Sequence, residues 1–351
     1  MKRKEFLYTS SILFGGTLLG CNTADKNANS KEVQVPTFDL HTHPGAFYLQ
    51  GNDLYQGDEA FLNRISDMKA KGLQGAFFSL VADLPLLQRT ETGIIPKGKF
   101  AGEEGWQVFQ SQMKILKELL ERSEAEIALR SEELSKGGKV KAYLACEGGD
   151  FLGNSIGKVS EAYEAGIRSI QLVHYAPNEL GDLQTSTAEH NGLSSFGKEV
   201  VNKMNDLGML IDVAHASADT VRDVCAISNA PVILSHSILK EDNNRPIAAR
   251  AISVEHAKMI GENGGVIGMW PSGFSTSFDE FVEHTFRMID TVGIDHVGIG
   301  TDMDSNFKPV ITNYTEFFNW KDALLNKGLS PKEVAQLTGG NAQRVLKQVL
   351  A

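Results

Sequence analysis

The sequence predicts an α/β fold in which one domain forms a single (β/α)8 TIM-like barrel. Short apolar runs alternate with segments of helical periodicity along nearly the whole chain, a pattern typical of repeated βα units. About eight such runs are present, which is the number that a closed barrel requires. With 351 residues, of which 42% are hydrophobic, the chain can bury one core of this size.

The predicted strands are apolar runs that end at a polar or ionisable residue. Parallel strands that are buried on both faces have this nearly continuous hydrophobic character. The loops at 83–102 and 176–195 follow two of these strands and are expected to form the rim of a pocket. We place the strands at residues 36–42, 75–82, 140–146, 167–174, 209–215, 231–236, 264–270 and 296–301.

The predicted helices fill the intervals between these strands. Asp58 and Ser253 are expected to be N-caps, because short polar side chains accept hydrogen bonds from free amides of the first turn. The 103–136 segment is expected to be one long helix with its apolar face on the barrel wall, and a partner-binding helix is the less favoured interpretation. The helices are placed at 58–71, 103–136, 156–165, 196–207, 217–228, 253–263, 278–292, 314–327 and 331–350.

Residues 1–20 are predicted to be a signal peptide that is removed from the mature protein. Residues 2–4 are basic, and residues 6–19 are largely apolar but short for a helix that spans a bilayer. The segment ends in Leu18-Leu19-Gly20-Cys21, which resembles the lipobox of bacterial lipoproteins. Cys21 would then become the lipidated first residue, whereas an ordinary signal peptide with an incidental cysteine is the alternative.

The remainder of the chain is expected to consist of a short polar segment and one domain. Residues 21–34 have no apolar period and are expected to be a flexible, lipid-anchored linker. Residues 35–351 would form the barrel domain. On this interpretation the protein is exported and is attached by its lipid to a membrane of the bacterial cell envelope.

The composition argues against a nucleic-acid partner. The formal net charge is −10 at pH 7, and no basic stripe with interleaved aromatic residues is present. Besides Cys21, the chain contains Cys146 and Cys225, both in apolar surroundings. They are expected to be buried free thiols, and a disulfide between them is the open alternative.

Ionisable residues stand at or directly after the ends of six predicted strands. In a barrel the carboxyl ends of the strands converge on one mouth, so these side chains are expected to meet there. The residues are His41, His43, Glu147, His174, His215, His236 and Asp302.

This set of residues has the chemistry of a metal site. His41 and His43 lie two residues apart on one strand, so both imidazoles face the same side and can bind a single metal ion. A carboxylate among imidazoles, such as Glu147, suits a bridging position because its two oxygens can serve two cations. Sites with nitrogen and oxygen ligands favour zinc, with cobalt or manganese as substitutes.

Asp302 has a catalytic role on this hypothesis. A carboxylate beside a metal-activated water can accept the proton of that water and return it to a departing amine. A purely structural carboxylate and an additional metal ligand are the alternatives. Asp304, two residues further along, could share the same face, but the sequence assigns it no role.

Several motifs resemble those of one known family. They are Cys146-Glu147-Gly148-Gly149 and the segments 192–201, 204–215, 235–237, 264–268, 297–302 and 339–341. On these motifs, and over residues 36–350 as a whole, the chain resembles the membrane (renal-type) dipeptidases, which are zinc peptidases of the amidohydrolase superfamily. The resemblance implies two Zn2+ ions per chain, small dipeptide substrates and the homodimer that is frequent among members.

The resemblance also implies a role for each matching metal ligand. His41 and His43 would bind one zinc ion. His215 and His236 would bind the other, and Glu147 would bridge the two ions.

Further matching positions concern the substrate. His174 matches the family histidine that contacts the substrate and stabilises the tetrahedral intermediate, and Asp302 would be the acid/base. Arg250 matches the arginine that binds the substrate's carboxylate. Arg245 is a rival for this role, and a surface ion pair is the structural alternative for either arginine.

Two positions depart from the family pattern. His41-Thr42-His43 stands where the best-known members have His-x-Asp, which makes the first metal site less negative by one charge. Asp150 stands where a histidine often follows the Glu-Gly-Gly motif. Metal preference and substrate scope could shift with the first change.

The expected function is zinc-dependent hydrolysis of the peptide bond of dipeptides through a metal-bridging hydroxide. L-L dipeptides are expected, and the family's tolerance of D-residues extends the expectation to L-D dipeptides. The first alternative is another amidohydrolase reaction in the same site, such as hydrolysis of a lactone, a cyclic amide or a β-lactam. The second is a non-catalytic surface lipoprotein that captures metal or peptide, against which the complete ligand set and Asp302 argue.

Overall fold

The computed structural model describes residues 36–90, 93–241 and 244–350. The expected signal peptide, the linker and Cys21 lie outside these residues, so their assignment stays a prediction. Within the described ranges, none of the helices is both long enough and apolar enough to cross a membrane.

Eight parallel strands form the wall of a nearly closed barrel, which confirms the predicted fold class. In chain order the strands of the described residues are β1 (Phe38–Thr42), β2 (Gly75–Val81), β3 (Leu87–Thr90), β4 (Gly93–Pro96), β5 (Ala125–Ile127), β6 (Val140–Glu147), β7 (Ile167–Gln171), β8 (Leu210–Asp212), β9 (Ile233–Ser237), β10 (Val266–Met269) and β11 (Val297–Ile299). The order around the wall is β1-β2-β6-β7-β8-β9-β10-β11. Every residue of these eight strands is buried, which explains their continuous apolar runs.

The barrel closes between β1 and β11 through the residues that follow these strands. The amide of Asp302 donates to the carbonyl of His41 at 2.8 Å, and the amide of His43 donates to the carbonyl of the residue after Asp302 at 3.0 Å. The buried carboxylate of Asp39 accepts hydrogen bonds from the amide of Thr301 at 2.9 Å and from its hydroxyl at 2.5 Å. Closure therefore fixes the two histidines of the first strand against Asp302.

Helices cover the outside of the wall and end the described chain. They are α1 (Asp58–Lys71), α2 (Glu104–Glu121), α3 (Gly157–Ala165), α4 (Ser195–Leu207), α5 (Ala218–Ile227), α6 (Val254–Glu262), α7 (Phe278–Val292), α8 (Tyr314–Asn326), α9 (Pro331–Ala335) and α10 (Asn341–Val349). Ser253 is the N-cap of α6, as predicted, and its hydroxyl accepts a hydrogen bond from the amide of His256. The prediction for Asp58 is wrong by one position, because Gly57 is the N-cap of α1 and Asp58 lies in the first turn.

The predicted single helix at 103–136 is wrong in its second half. Helix α2 ends at Glu121, and the chain then forms β5, which pairs in parallel with β6 outside the barrel order. A 3₁₀ turn at Ser131–Ser135 follows. The helix ends near Ser123, whose hydroxyl accepts a hydrogen bond from the amide of Ala125 at 3.1 Å and so competes with the helical pattern.

Two structural features around the mouth also differ from the prediction. The loop at 83–102 contains a hairpin, in which β3 and β4 pair in antiparallel fashion. Strands β7 and β8 end before His174 and His215, so these two side chains lie in the turns beyond the strands. Residues of the hairpin therefore line one side of the mouth, and the two turns place the side chains of His174 and His215 in the mouth.

The predicted helix at 331–350 is interrupted. It consists of α9, a π-helical turn at Gln336–Gly340 and α10. Gly339 packs closely against the residues that precede β1, so a Cβ atom at this position would lie 1.8 Å from the carbonyl oxygen of Pro36. The irregular turn therefore follows from a close backbone contact for which only glycine leaves room.

The two cysteines of the described chain are both free thiols, so the disulfide alternative is wrong. Burial raises the pKa of the Cys146 thiol well above its usual range and that of Cys225 to about 11. Both thiols are therefore protonated at neutral pH and behave as small apolar groups.

Candidate metal centre and active site

The predicted site residues converge at the mouth of the barrel, at the carboxyl ends of the strands. The cavity there has a volume of about 270 Å³. Glu147 lies at its floor at the end of β6, and Tyr48, Trp270 and Phe307 are among the side chains of its walls. A cavity of this size suits a small substrate that is largely enclosed.

Glu147 is the centre of the cluster. Its Oε1 lies 3.5 Å from Nε2 of His41, 3.3 Å from that of His215, 3.7 Å from that of His236 and 3.5 Å from that of His174, while Oε2 lies 3.3 Å from Nε2 of His43. All six side chains are buried. The structure therefore brings together the whole ligand set that was expected from the sequence, and His174 with it.

The ligand histidines form two pairs. Nε2 of His41 lies 3.0 Å from Nε2 of His43, and Nε2 of His215 lies 3.1 Å from Nε2 of His236. These separations are close to the distance between two nitrogens that share one zinc ion, since each Zn–N bond is about 2.0 Å long. The pairing agrees with the division of ligands that the family resemblance implies.

The imidazole of His43 is held in the orientation of a metal ligand. Its Nδ1 lies 2.8 Å from the carbonyl oxygen of Ser79. A carbonyl oxygen only accepts, so Nδ1 must carry the hydrogen. Nε2 then faces Glu147 and Oδ1 of Asp302, which is 3.4 Å away, and is the nitrogen that could bind a metal ion. A hydrogen bond of this kind behind the ligating nitrogen is usual in metal sites.

The pKa values of the histidines favour cation binding. Burial lowers the pKa of His215 and of His236 well below the usual range, so both imidazoles are neutral and can act as ligands. Burial acts in the same direction on His43, but hydrogen bonds to Asp302 and Glu147 outweigh it and raise the pKa of His43 to about 10. The space between these two carboxylates therefore attracts a positive charge, either a proton or a metal ion that displaces it.

The donor set fits a pair of divalent cations. Buried imidazoles that turn nitrogen atoms toward one another at about 3 Å are stabilised when a cation lies among them, because facing lone pairs repel. The two oxygens of Glu147 face different histidines, with Oε2 nearest to His43 and Oε1 nearest to His215. Imidazole and carboxylate ligands in this combination suit zinc.

Two site residues have strained backbone conformations. His215 has φ 65° and Asp302 has φ 52°, both in the left-handed region that residues other than glycine rarely adopt. Such conformations cost about 1–3 kcal/mol each and persist only where surrounding contacts fix them. The contacts here are the bond from the Asp302 amide to the His41 carbonyl and the bond from the Gln184 amide to the His215 carbonyl at 2.7 Å.

Asp83 is a residue of the site that the sequence analysis did not identify. Its Oδ1 lies 2.7 Å from Nδ1 of His174, and its Oδ2 accepts hydrogen bonds from the amides of Tyr175 at 3.1 Å and Ala176 at 2.9 Å. The side chain is 0% exposed. One carboxylate thus holds the whole turn that carries His174.

His174 differs from His215 and His236 in the direction of its pKa shift. Burial lowers its pKa, but the charges of Asp83 and Glu147 outweigh this effect and raise it. A histidine that keeps both ring hydrogens is a hydrogen-bond donor and not a metal ligand. The direction of this shift favours the form of His174 in which Nε2 also carries a hydrogen and can donate to a group in the cavity.

Arg250 lies directly beside the histidines that are expected to bind metal. Its Nη2 is 3.4 Å from Nε2 of His236, its Nη1 donates to the side chain of Gln184, and its guanidinium lies 5.5 Å from the ring centre of Trp270. Arg250 is only 3% exposed, and in the described part of the chain its Nε has no hydrogen-bond partner. Its side chain also forms no ion pair with a carboxylate of the described residues, so a buried positive charge lies beside His236 and Trp270, which line the cavity.

Arg245 is held away from the cavity. Its Nη2 forms ion pairs with Glu241 at 3.2 Å and with Glu280 at 2.6 Å. Its guanidinium also lies 5.5 Å from the ring centre of Phe274. Of the two rival arginines, the structure therefore brings Arg250 to the site, and the ion-pair interpretation applies to Arg245.

The carboxylate of Asp302 is positioned by two neighbours. The indole N–H of Trp270 donates to Oδ2 at 3.2 Å, and Oδ1 faces Nε2 of His43. Asp304 has a separate and structural task, because its carboxylate pairs with Arg64 at 2.6 Å. Of these two acids, only Asp302 reaches the cavity.

Comparison with known proteins identifies the family. The model of the family described as membrane dipeptidase (peptidase family M19) matches residues 26–351. The chain belongs to the membrane dipeptidase family. It is 30% identical over 259 residues to dipeptidase verJ of Clonostachys rogersoniana, across 70% of this chain and 66% of that protein. It is 29% identical over 258 residues to dipeptidase tcpJ of Claviceps purpurea, across 68% of this chain and 59% of that protein. The match thus spans slightly less than two thirds of each of these relatives.

Solved structures share the fold of this membrane dipeptidase family member. A dipeptidase described as AC, a metallopeptidase of the same family, has a TM-score of 0.77 and 22% identity over 90% of this chain and 99% of its own. A metallopeptidase from Rhodobacter sphaeroides bound to a phosphinate mimic of L-Ala-D-Ala has a TM-score of 0.76 and 21% identity over 90% and 99%. At this identity the likeness supports the barrel fold and nothing finer.

Proposed function

We propose that this protein hydrolyses the peptide bond of dipeptides, with two zinc ions bound by the cluster around Glu147. One observation carries the proposal: a complete set of imidazole and carboxylate ligands lies between the acid Asp302 and the buried Arg250. Membership of the membrane dipeptidase family supports dipeptides as the substrate class.

Arg250 would bind the free carboxylate of the substrate. A buried guanidinium without a carboxylate partner in the described residues has lost its hydration without gaining an ion pair. The carboxylate of a dipeptide supplies that partner and matches the planar guanidinium with two parallel hydrogen bonds. The site would therefore favour substrates with a free C-terminus close to the scissile bond.

The remaining groups would carry out the chemistry. The zinc ions, when bound, supply a hydroxide nucleophile at neutral pH and polarise the scissile carbonyl. His174 would donate from Nε2 to the carbonyl oxygen as it gains negative charge. Asp302 would hold the proton of the attacking water and deliver it to the leaving amine, while the indole N–H of Trp270 keeps its carboxylate in place.

The experiment that tests this proposal combines metal analysis with a substrate panel. Zinc content and hydrolysis of L-L and L-D dipeptides are measured for the wild type and for Asp302→Asn, with dipeptides whose carboxylate is blocked as a third arm. We expect two zinc ions per chain in both proteins, turnover of free dipeptides by the wild type alone, and loss of turnover on blocked substrates. Two bound metals with no turnover of any dipeptide would favour a lactone, cyclic amide or β-lactam substrate. A protein that binds no metal would contradict the mechanism.

The cellular setting is a separate proposal that rests on the sequence. The basic, apolar and Leu18-Leu19-Gly20-Cys21 segments support export and lipid attachment at Cys21, followed by the linker at 21–34. Replacement Cys21→Ala should release the protein from the membrane fraction of the producing cell. Sedimentation analysis of the purified protein tests the homodimer that the family resemblance implies.

A further inference from the structure

The cavity contains a second arginine that the proposed chemistry does not use. Arg89 lies on β3 of the hairpin and lines the same cavity as Glu147 and His236. Burial raises the pKa of Tyr48, another wall residue, to about 12, and the charge of Arg89 is among the effects that oppose this rise. The Arg89 guanidinium is therefore within electrostatic reach of the interior of the cavity.

The loops that carry the two arginines follow strands on opposite sides of the barrel. The hairpin of Arg89 follows β2, the second strand of the wall, and Arg250 follows β9, the sixth strand. In a ring of eight strands, the second and the sixth face each other across the barrel. Arg250 contacts His236 of the cluster around Glu147, whereas Arg89 reaches the same cavity from the hairpin that follows β2.

The wall between the cluster and Arg89 is apolar. Val81, Leu84, Leu87 and Ile94 line the cavity on the side of the hairpin. The carboxylates among the described lining residues are Glu147 and Asp302, and both belong to the metal cluster. Arg89 is exposed and forms no ion pair with a described carboxylate, so its charge is available to a ligand.

We propose that Arg89 selects dipeptides whose N-terminal residue carries a side-chain carboxylate, such as an N-terminal glutamate or aspartate. The inference rests on the proposed dipeptidase function. With its own C-terminal carboxylate on Arg250 and its scissile carbonyl at the Glu147 cluster, a dipeptide must extend its N-terminal residue toward the hairpin. The methylene groups of that side chain pack on the apolar wall, and its carboxylate meets the Arg89 guanidinium.

The expected selectivity is moderate because Arg89 is exposed to solvent. Ion pairs at exposed sites contribute little free energy of binding. Apolar residues on one side of the pair lower the local dielectric constant and strengthen the attraction to a limited extent. We expect a preference of about two- to fivefold in kcat/KM for L-Glu-L-Ala over its neutral isostere L-Gln-L-Ala at low ionic strength. The ratio should fall toward one at high salt, because screening acts on solvent-exposed charges.

The test compares three substrates whose N-terminal side chains are negative, neutral and positive, L-Glu-L-Ala, L-Gln-L-Ala and L-Lys-L-Ala. L-Ala-L-Ala is the reference substrate with a small neutral side chain. Arg89→Gln should bring the Glu/Gln ratio to about one, Arg89→Lys should keep most of it, and Arg89→Glu should shift the preference to L-Lys-L-Ala. Lys97→Gln is the matched control, since it removes one positive charge beside the same hairpin but outside the cavity lining.

The outcomes distinguish this inference from the proposed function. Turnover of L-Ala-L-Ala with a Glu/Gln ratio near one in the wild type would overturn the role of Arg89 and leave the dipeptidase function intact. A ratio that survives in Arg89→Gln, or that is lost equally in Lys97→Gln, would overturn it too. No turnover of any substrate by the zinc-loaded wild type would overturn both. Circular dichroism of each variant confirms that the exposed substitution leaves the fold unchanged.

Discussion

The contact between Asp83 and His174 predicts the consequence of the substitution Asp83→Asn. The carboxylate accepts hydrogen bonds from Nδ1 of His174 at 2.7 Å and from the amides of Tyr175 and Ala176 at 3.1 Å and 2.9 Å. Asparagine has a single acceptor oxygen, and turning it toward the two amides keeps the turn intact. Its NH2 group then faces Nδ1, so the imidazole of His174 becomes neutral while Nε2 retains its hydrogen.

In Asp83→Asn, His174 keeps its donor at Nε2 but loses its positive charge, and this loss of charge determines how far kcat falls. Hydrogen bonds to charged groups contribute about 1.5–3 kcal/mol and are about twice as strong as neutral ones. A neutral His174 should therefore stabilise the oxyanion less by about 1–1.5 kcal/mol, which corresponds to roughly a five- to tenfold fall in kcat. KM should change little, because the carboxylate of the substrate is bound at Arg250.

The assay is steady-state hydrolysis of L-Ala-L-Ala, with zinc content and Tm measured on the same samples. Asp182→Asn is the matched control, since the Asp182 carboxylate also accepts three hydrogen bonds, all of them from backbone amides, those of Glu189, His190 and Gly192. The control should lower the Tm and leave kcat within about twofold. An unchanged kcat for Asp83→Asn at full zinc content, or an equal fall in both variants, would refute the reasoning.

Three further outcomes are expected. Arg250→Gln should raise KM by at least about tenfold through the loss of a charged hydrogen bond, whereas Arg245→Gln should lower the Tm and leave KM unchanged. A hydrogen bond from Arg245 lowers the pKa of Glu280 to about 2 from 4.5. The stabilisation from Glu280 is therefore fully present above pH 4.5 and is lost as the pH falls toward 2. Glu280→Gln should cost about 1–3 kcal/mol at pH 7, and denaturant curves of variant and wild type should converge in acid. Removal of zinc with a chelator should lower the calorimetric Tm, and addition of zinc should restore the Tm. A Tm that does not change with zinc would contradict the metal site.

The barrel could be predicted from the sequence because its strands are buried on both faces. In β6 all eight residues are buried, and the run of residues before Glu147 is apolar except for Lys141. The residue at the end of such a run lies at the mouth of the barrel, and the same rule led to His236 and Asp302. Asp83 also follows an apolar run, after Val81 and Ala82. The sequence pattern that places a residue at the mouth is therefore present for Asp83. Its role as the carboxylate that holds the turn of His174 follows only from the fold, which brings the two segments together.

Other features depend on contacts that the sequence does not display. Arg245 and Arg250 stand five positions apart in one polar stretch, and only the fold turns one of them outward to Glu280 and the other inward to His236. The break after α2 at Ser123 carries no glycine or proline, because a side-chain hydrogen bond ends that helix. Local patterns report burial and periodicity, whereas these features arise from pairings between distant segments.

The closure of the barrel has a consequence for how the protein becomes active. The bond between Asp39 and Thr301 joins residues 262 positions apart in the chain. During synthesis the histidines of the first strand emerge long before Asp302, which moves the proton in the proposed reaction. A chain that ends before residue 302 would keep the histidines of the first strand but would lack the acid. Hydrolytic activity would thus begin only when the last strand docks on the first, and products that end before Asp302 would be inactive.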